Sequence, residues 1–327
     1  MRSTVAFRMT VRILFFIVSL LVVAPLSHPA TSKDLSALER GETLGSLRVA
    51  NLYADSHGNI VAAKFRDIRS GAPVYLLQIE TVPQAFMWVN TPPDSNAGVA
   101  HALEHLLAGK GTKGRYANLL SEMSLSRSAA ATTDDFNFYS FASGSGVDGF
   151  YQEFRAWLDA IYRPDFTDLE AEREFYHFGI AYDPATKKRE LVEKGSVYDE
   201  MQTGQAIYDF YFALNKLAFG KNSPFGFYNS GVPDEMRHVF PTDIRRFHQE
   251  HYRLRPSTGF IFALNSKEDP FKFLRGVSQE LNRFEDSRPQ QGIPDEVPNR
   301  GVLLSCPRRT WARFNDGCQQ RTRGDAT

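Results

Sequence analysis

Thr91-Pro-Pro-Asp-Ser-Asn-Ala-Gly-Val-Ala-His-Ala-Leu-Glu-His105 decides the fold and the chemistry of this chain. An aromatic-rich strand, Ala85-Phe-Met-Trp-Val-Asn90, runs into it and stops at Thr91-Pro92-Pro93. Asp94, Ser95 and Asn96 are all side chains able to cap a helix start. Val99 to Leu107 then reads as a helix, closed by Gly109 and Gly111. Inside it, His101-Ala-Leu-Glu104-His105 matches H-x-x-E-H, the reverse of the H-E-x-x-H order. Positions i and i+4 share a helix face, so both imidazoles can reach one metal ion. Glu104 lies one turn from His101, placed to take a proton from a water that zinc acidifies. Val99, Leu103, Leu106 and Leu107 predict a mostly buried helix, and a buried His pair with a Glu needs partners.

Outward from this stretch, strands come first. Ser46 to Tyr53 and Ile60 to Phe65 read as strands around the turn Asp55-Ser-His-Gly-Asn59, and Pro73 to Glu80 as another. Asn137 to Ala142 alternates like a strand with one buried face, and Phe150 to Tyr162 carries a helical apolar stripe. Phe166 to Tyr182, Lys188 to Met201 and Asp209 to Leu217 are further helical candidates. Pro241 to Tyr252 predicts a helix capped by Thr242, Gly259 to Leu264 a strand, and Pro270 to Phe284 a last helix. Strands followed by helices predict an α+β domain in which a mixed sheet packs against helices.

The chain has 327 residues, 42% of them hydrophobic and 26 of them Phe, enough for a sizeable core. Lys plus Arg and Asp plus Glu balance at 38 each, which disfavours nucleic acid as a partner. Arg2, Arg8 and Arg12 precede an apolar run, Ile13 to Ala24, that is short of the roughly 20 residues of a membrane-crossing helix. With small residues near Ala30, the segment 1–32 reads as a secretory signal, or as a membrane anchor if uncleaved. An exported protein, periplasmic or secreted, is the expectation. Cys306 and Cys318 both fall in the segment 286–327, a linker and irregular Arg-rich tail; they pair there or stay as free thiols.

A zinc site needs a third protein ligand. Spacing offers Glu200 in Val197-Tyr-Asp-Glu-Met201, among many other carboxylates. On a helix, Glu193 would sit two turns before it on the same face, as a hydrogen-bond partner to the ligand shell. His248 and His251, three apart beside Arg245 and Arg246, read as a polar helix face with Phe247 inside, His177 as a packed residue, and His57 as an exposed turn residue. Lys110, Lys113 and Arg115 read as a solvated loop after the zinc helix, or as a bias toward acidic substrates.

At these residues the sequence resembles the insulinase/pitrilysin family of inverzincins, most closely its presequence-protease branch. Thr91 to His105 resembles the run into that branch's active-site helix, and Gly195 to Met201 the segment bearing its third ligand. Phe225 to Pro233 and Phe247 to Tyr252 resemble later landmarks, so the likeness covers roughly Leu44 to Phe284. It implies a zinc metallopeptidase N-terminal domain over residues 40–285, one half of a clamshell. It further implies His101, His105 and Glu200 as zinc ligands, Glu104 as general base and Glu193 as the acid behind the ligands. The implied function is endopeptidase hydrolysis of unstructured peptides.

Departures from the family qualify that expectation. Ala129-Ala-Ala-Thr132 stands where the family carries Asn-Ala-x-Thr on the strand that aligns substrate, so the Asn is missing. Presequence-protease relatives are much longer, and their second half completes the substrate chamber. A truncated or frameshifted gene would give the tail seen here, and a second half could instead come from another subunit. Self-association through an exposed half-clamshell surface is a further expectation. The alternative function is a catalytically silent peptide-binding or subunit-type member that keeps the fold and the metal. A soluble binding domain without metal would require the motif to be accidental.

Overall fold

A computed structural model of the chain describes residues 34–284. The segment 1–32, both cysteines and the tail 286–327 lie outside the described residues. Strands β1 (Thr43–Leu44), β2 (Leu47–Ala54), β3 (Ile60–Asp67), β4 (Pro73–Gln78), β5 (Gln84–Asn90), β6 (Arg127–Thr132), β7 (Phe136–Ala142) and β10 (Thr258–Leu264) make one sheet. Its order is β1-β2-β3-β4-β10-β5-β7-β6. The late strand β10 inserts at the centre, parallel to β4 and antiparallel to β5, which makes the sheet mixed. Strands β8 (His177–Tyr182) and β9 (Arg189–Lys194) form a separate antiparallel hairpin.

The helices are α1 (Val99–Gly109), α2 (Gly111–Met123), α3 (Gly146–Tyr162), α4 (Asp168–Phe175), α5 (Ser196–Phe219), α6 (Pro233–Met236), α7 (Pro241–His251) and α8 (Pro270–Asn282). Alternation sets which sheet face meets them. On β5 the side chains of Ala85, Met87 and Val89 are buried, on β7 Asn137, Tyr139 and Phe141, on β10 Phe260, Phe262 and Leu264. Phe262 meets Phe154 of α3 with ring centroids 5.2 Å apart and Phe273 of α8 at 5.8 Å. Each fully buried Phe contributes roughly 1.5–3 kcal/mol, so this aromatic layer anchors the helices to the sheet. The α+β reading, with a mixed sheet packed against helices, holds. Among the described residues, no helix is long and apolar enough to cross a membrane.

Four local expectations are corrected. The glycines after the first helix do not open a loop. Lys110 alone is extended, then Gly111, at φ +64°, redirects the chain straight into α2. A Cβ there would meet the Asp165 carboxylate at 2.4 Å, so the turn is built for glycine. Lys113 and Arg115 therefore lie on a helix, and both are engaged: Lys113 donates to the Arg163 carbonyl, and Arg115 pairs with Glu170. Second, the helix expected over 166–182 ends at Phe175, because Tyr176 is already extended and Phe178, Ile180 and Tyr182 alternate on a strand.

Third, the helix expected over 188–201 divides into strand β9 and the first turn of α5, which then runs unbroken to Phe219. Fourth, the helix starts are set by other residues. Gly98, not Asp94, Ser95 or Asn96, precedes α1 without a side-chain cap, and Asn96 is used elsewhere. Helix α7 starts after Phe240, whose N–H donates to Asp243 at 3.0 Å, so Thr242 is inside the helix.

Candidate metal centre

Helix α1 buries almost its whole surface, including two polar residues: His101 is 5% exposed and Glu104 7%. Its position is fixed from below by a buried polar cluster. Asn137 of β7 donates to the Ala100 carbonyl at 2.7 Å and to the Tyr252 hydroxyl at 2.8 Å, and Tyr139 lies 3.0 Å from that hydroxyl. The helix thus presents His101 and His105 side by side, with ring centroids 4.9 Å apart and planes at 79°.

Each imidazole is oriented through its Nδ1. His101 Nδ1 lies 2.9 Å from the Ser230 carbonyl, which can only accept, so Nδ1 carries the proton and Nε2 keeps its lone pair. His105 Nδ1 lies 3.0 Å from Glu174 of α4. Both Nε2 atoms then face Glu200, in the first turns of α5, whose carboxylate is 3.7 Å from His101 Nε2 and 3.5 Å from His105 Nε2. The potential ligand atoms of His101, His105 and Glu200 all lie within 4.8 Å of one another. Ligands about 2.0–2.1 Å from one zinc ion at tetrahedral angles would be about 3.3–3.4 Å apart, so small adjustments bring these three onto one ion. Two neutral imidazoles and a carboxylate, with a fourth position left open, are a donor set suited to catalytic zinc.

Charge around the trio is graded. Burial pushes the Glu104 carboxyl up to about 7, reinforced by Glu200 and Glu174 against the pull of His105. Burial also lowers His101, and neighbouring His105 lowers it further. For His105, burial acts downward, but the bond to Glu174 and the charges of Glu104 and Glu200 outweigh it and raise the group. Burial would raise Glu174 too, yet the hydrogen bonds from His105 and Lys110 hold it at about 2. Glu174 is thus a fixed carboxylate behind His105, with Lys110 Nζ 2.7 Å from its second oxygen.

That place was expected of Glu193, and the structure puts Glu193 elsewhere. It is on strand β9 rather than on a helix with Glu200, so the two-turn spacing does not apply. Its carboxylate accepts from Tyr176 at 2.8 Å, Tyr198 at 2.6 Å and Arg237 Nε at 2.6 Å, bracing the start of α5. The carboxylate that bonds a site imidazole, Glu174, was missed by sequence reasoning. Its one signal is the capping box of Thr167 and Glu170, which sets a helix whose next turn carries Glu174 toward α1.

The trio opens into a cleft of about 580 Å³. Ala130, Ala131 and Thr132 of β6, the edge strand of the sheet, form one wall. Met201, Tyr208 and Tyr211 of α5 form the other. Among the described residues, the other histidines weighed from the sequence stay out of the site. His248 Nε2 bonds the Ile161 carbonyl at 2.8 Å, His251 stacks on Phe247, and His57 is exposed. His177 is half-buried on β8.

No family model matches the chain. In sequence it is similar to the Saccharomyces cerevisiae "Uncharacterized protein YOL098C", 31% identical over 215 residues, which is 64% of this chain and 19% of that one. It is also similar to Protein HypA of Clostridium perfringens, 29% identical over 202 residues, 60% of this chain and 20% of the relative. A mitochondrial presequence protease of Eremothecium gossypii is 28% identical over 258 residues, 72% of this chain and 25% of the relative. The chain therefore spans about a fifth to a quarter of the length of these curated relatives. In structure it resembles a protease from Helicobacter pylori, with a TM-score of 0.53 at 15% identity, covering 71% of this chain and 52% of that one. The structural likeness speaks for the fold, and the sequence relatives support a peptidase family. The chain is thus similar at low identity to a presequence protease over 72% of its length, and its fold resembles that of a solved protease.

Proposed function

We propose that this chain is a zinc-dependent endopeptidase domain acting on unstructured peptides, with His101, His105 and Glu200 as metal ligands. One observation carries the reading: two imidazole nitrogens and a carboxylate converge within 4.8 Å beside Glu104, on the floor of an open cleft. When bound, zinc supplies a Lewis acid that polarises the peptide carbonyl and lowers the pKa of water to about 7. Glu104 takes the proton from the attacking water and returns it to the leaving amine. Glu104, buried one helical turn from His101 and next to His105, is placed for both transfers. Glu174 and the Ser230 carbonyl keep the two imidazoles in the tautomer that presents Nε2. The free edge of β6, beside the cleft, offers backbone groups to an extended peptide. Ala129, where the resembling family carries Asn, removes one side-chain contact from that strand.

The Glu200 side chain is 48% exposed, so water has access to one flank of the trio. This favours slow turnover unless a second half, in the same or another polypeptide, closes the chamber. It is also the observation that favours the second reading, a catalytically silent subunit that retains the metal. Export through the segment 1–32 is part of the proposal.

The test is zinc content of the purified protein beside His101→Ala and Glu104→Gln. About one zinc per chain, lost in His101→Ala and kept in Glu104→Gln, is the expected result. Peptide cleavage should then fall about 10²–10⁴-fold in Glu104→Gln. No zinc in the wild type would sink the metallopeptidase reading. Zinc with no cleavage, even beside a second half, would favour the silent subunit.

A further inference from the structure

The acceptor that orients His101 is a backbone carbonyl, and its position is set by the turn that carries it. Gly231 N–H donates to the Tyr228 carbonyl at 3.1 Å, closing a turn with Ser230 inside it. That turn is held from two sides by two asparagines. Asn96, just ahead of α1, accepts from Tyr228 N–H on its side chain at 3.0 Å and from Val232 N–H on its carbonyl at 2.8 Å. Its own amide donates to Glu235 at 2.6 Å, which fixes the orientation of the side chain. Asn229 is 4% exposed and reaches the other way. Its amide donates to the Thr133 carbonyl at 2.9 Å, at the end of the cleft wall, and lies 3.4 Å from the Thr91 hydroxyl.

The backbones touch at the same place. A Cβ on Gly98 would meet Gly231 Cα at 2.7 Å and the Ser230 oxygen at 2.9 Å. Gly98 also has a φ of +70°, where glycine is favoured. Among the described residues the cleft is lined by Tyr228 and Ser230 of this turn, and by neither asparagine.

The geometry points to Asn96 and Asn229 as positioning residues of the metal centre: they clamp the turn 228–232 so that the Ser230 carbonyl holds His101 with Nδ1 protonated. Asn229 also ties this carbonyl to Thr133, so the imidazole and the cleft wall are held by one side chain. The inference rests on the proposed metal reading. It concerns how the ligand is set, whichever reaction the centre serves.

The experiment compares full-length wild type with Asn229→Asp and Asn96→Ser. Asp keeps the shape of Asn but cannot donate to the Thr133 carbonyl, while Ser is too short to hold Tyr228 N–H. Ser278→Ala serves as a control, because Ser278 is a buried hydroxyl bonded to Ser46 far from the site. The first readout is the His101 tautomer in the metal-free protein, from long-range proton–nitrogen correlations of the imidazole. Wild type and control should show the Nδ1-protonated form, and the two variants a mixture. The second is cobalt affinity followed by visible absorption, expected to fall about 10–100-fold in the variants and to hold in the control.

An unchanged tautomer and affinity in a folded variant overturns the inference and leaves the metal reading intact. Cobalt failing to bind wild type overturns both. Should Asn229→Asp fail to fold, Asn96→Ser decides alone. If the control loses affinity as much as the variants do, the effect is general destabilisation and the inference falls.

Discussion

Helices α1 and α5 both break the usual division of apolar inside and polar outside, in opposite directions. Helix α1 buries His101 and Glu104 among leucines, and its two imidazoles are bonded to the Ser230 carbonyl and to Glu174. Helix α5 contributes Glu200 at its start, yet further along exposes Ile207, Phe210, Tyr211, Leu214, Leu217 and Phe219. The hairpin β8–β9 adds exposed Phe178, Ile180 and Leu191. Burying a carboxylate costs stability, and leaving large apolar side chains in water forgoes it. The first inversion marks chemistry. The second marks a surface that gains from being covered.

The sharpest way to break this contrast is to remove the burial cost on α1. Burial raises Glu104 to about 7, above its ordinary 4.5. A raised carboxyl contributes stability that is present below the unfolded value and is lost as pH rises through the folded one. Metal-free Glu104→Gln should therefore match wild type near pH 4 and exceed it at pH 8 by on the order of 3 kcal/mol. Denaturant titrations at the two pH values measure this, and equal stability at pH 8 would mean the carboxyl is not strained by its burial. Next in size is the partner of His105. Glu174→Gln keeps an acceptor but loses the charge, and zinc affinity should fall about 10–100-fold, read by chelator competition. An unchanged affinity would reduce Glu174 to a structural contact with Lys110.

The smallest effect belongs to α5. Leu217 is 85% exposed, so Leu217→Ser should change stability by less than about 0.5 kcal/mol while reducing binding of an apolar dye. A loss of several kcal/mol would show that Leu217 is covered in solution.

Much of the site was legible in sequence because its core is local. His101, Glu104 and His105 lie within five residues on one helix, and the 3.6-residue period alone puts them on one side. Strands β2 to β5, β7 and β10 were read as strands from composition and local alternation, whereas β6 beside the cleft was placed on a strand only by the family resemblance. What failed was long in range or carried by backbone. Glu174 meets His105 across 69 positions, with no motif of its own. The Ser230 carbonyl has no letter in the sequence at all. The hairpin β8–β9 was read as helix because its apolar residues point outward, so the expected link between apolar and buried gave no help. The two-turn spacing from Glu193 to Glu200 failed as a consequence, because it depended on that helix.

Strand β10 adds a consequence for synthesis. It is the bond between two groups of strands, β1 to β4 on one side and β5 to β7 on the other, and it spans Thr258–Leu264. A ribosome releases the motif of α1 more than 150 residues before this strand, as the numbering from His105 to Thr258 shows. Until then the nascent chain holds two open edges, at β4 and β5, each ready to pair with a neighbouring chain. Factors that shield nascent strand edges should therefore matter most for this protein in the interval before residue 264 emerges.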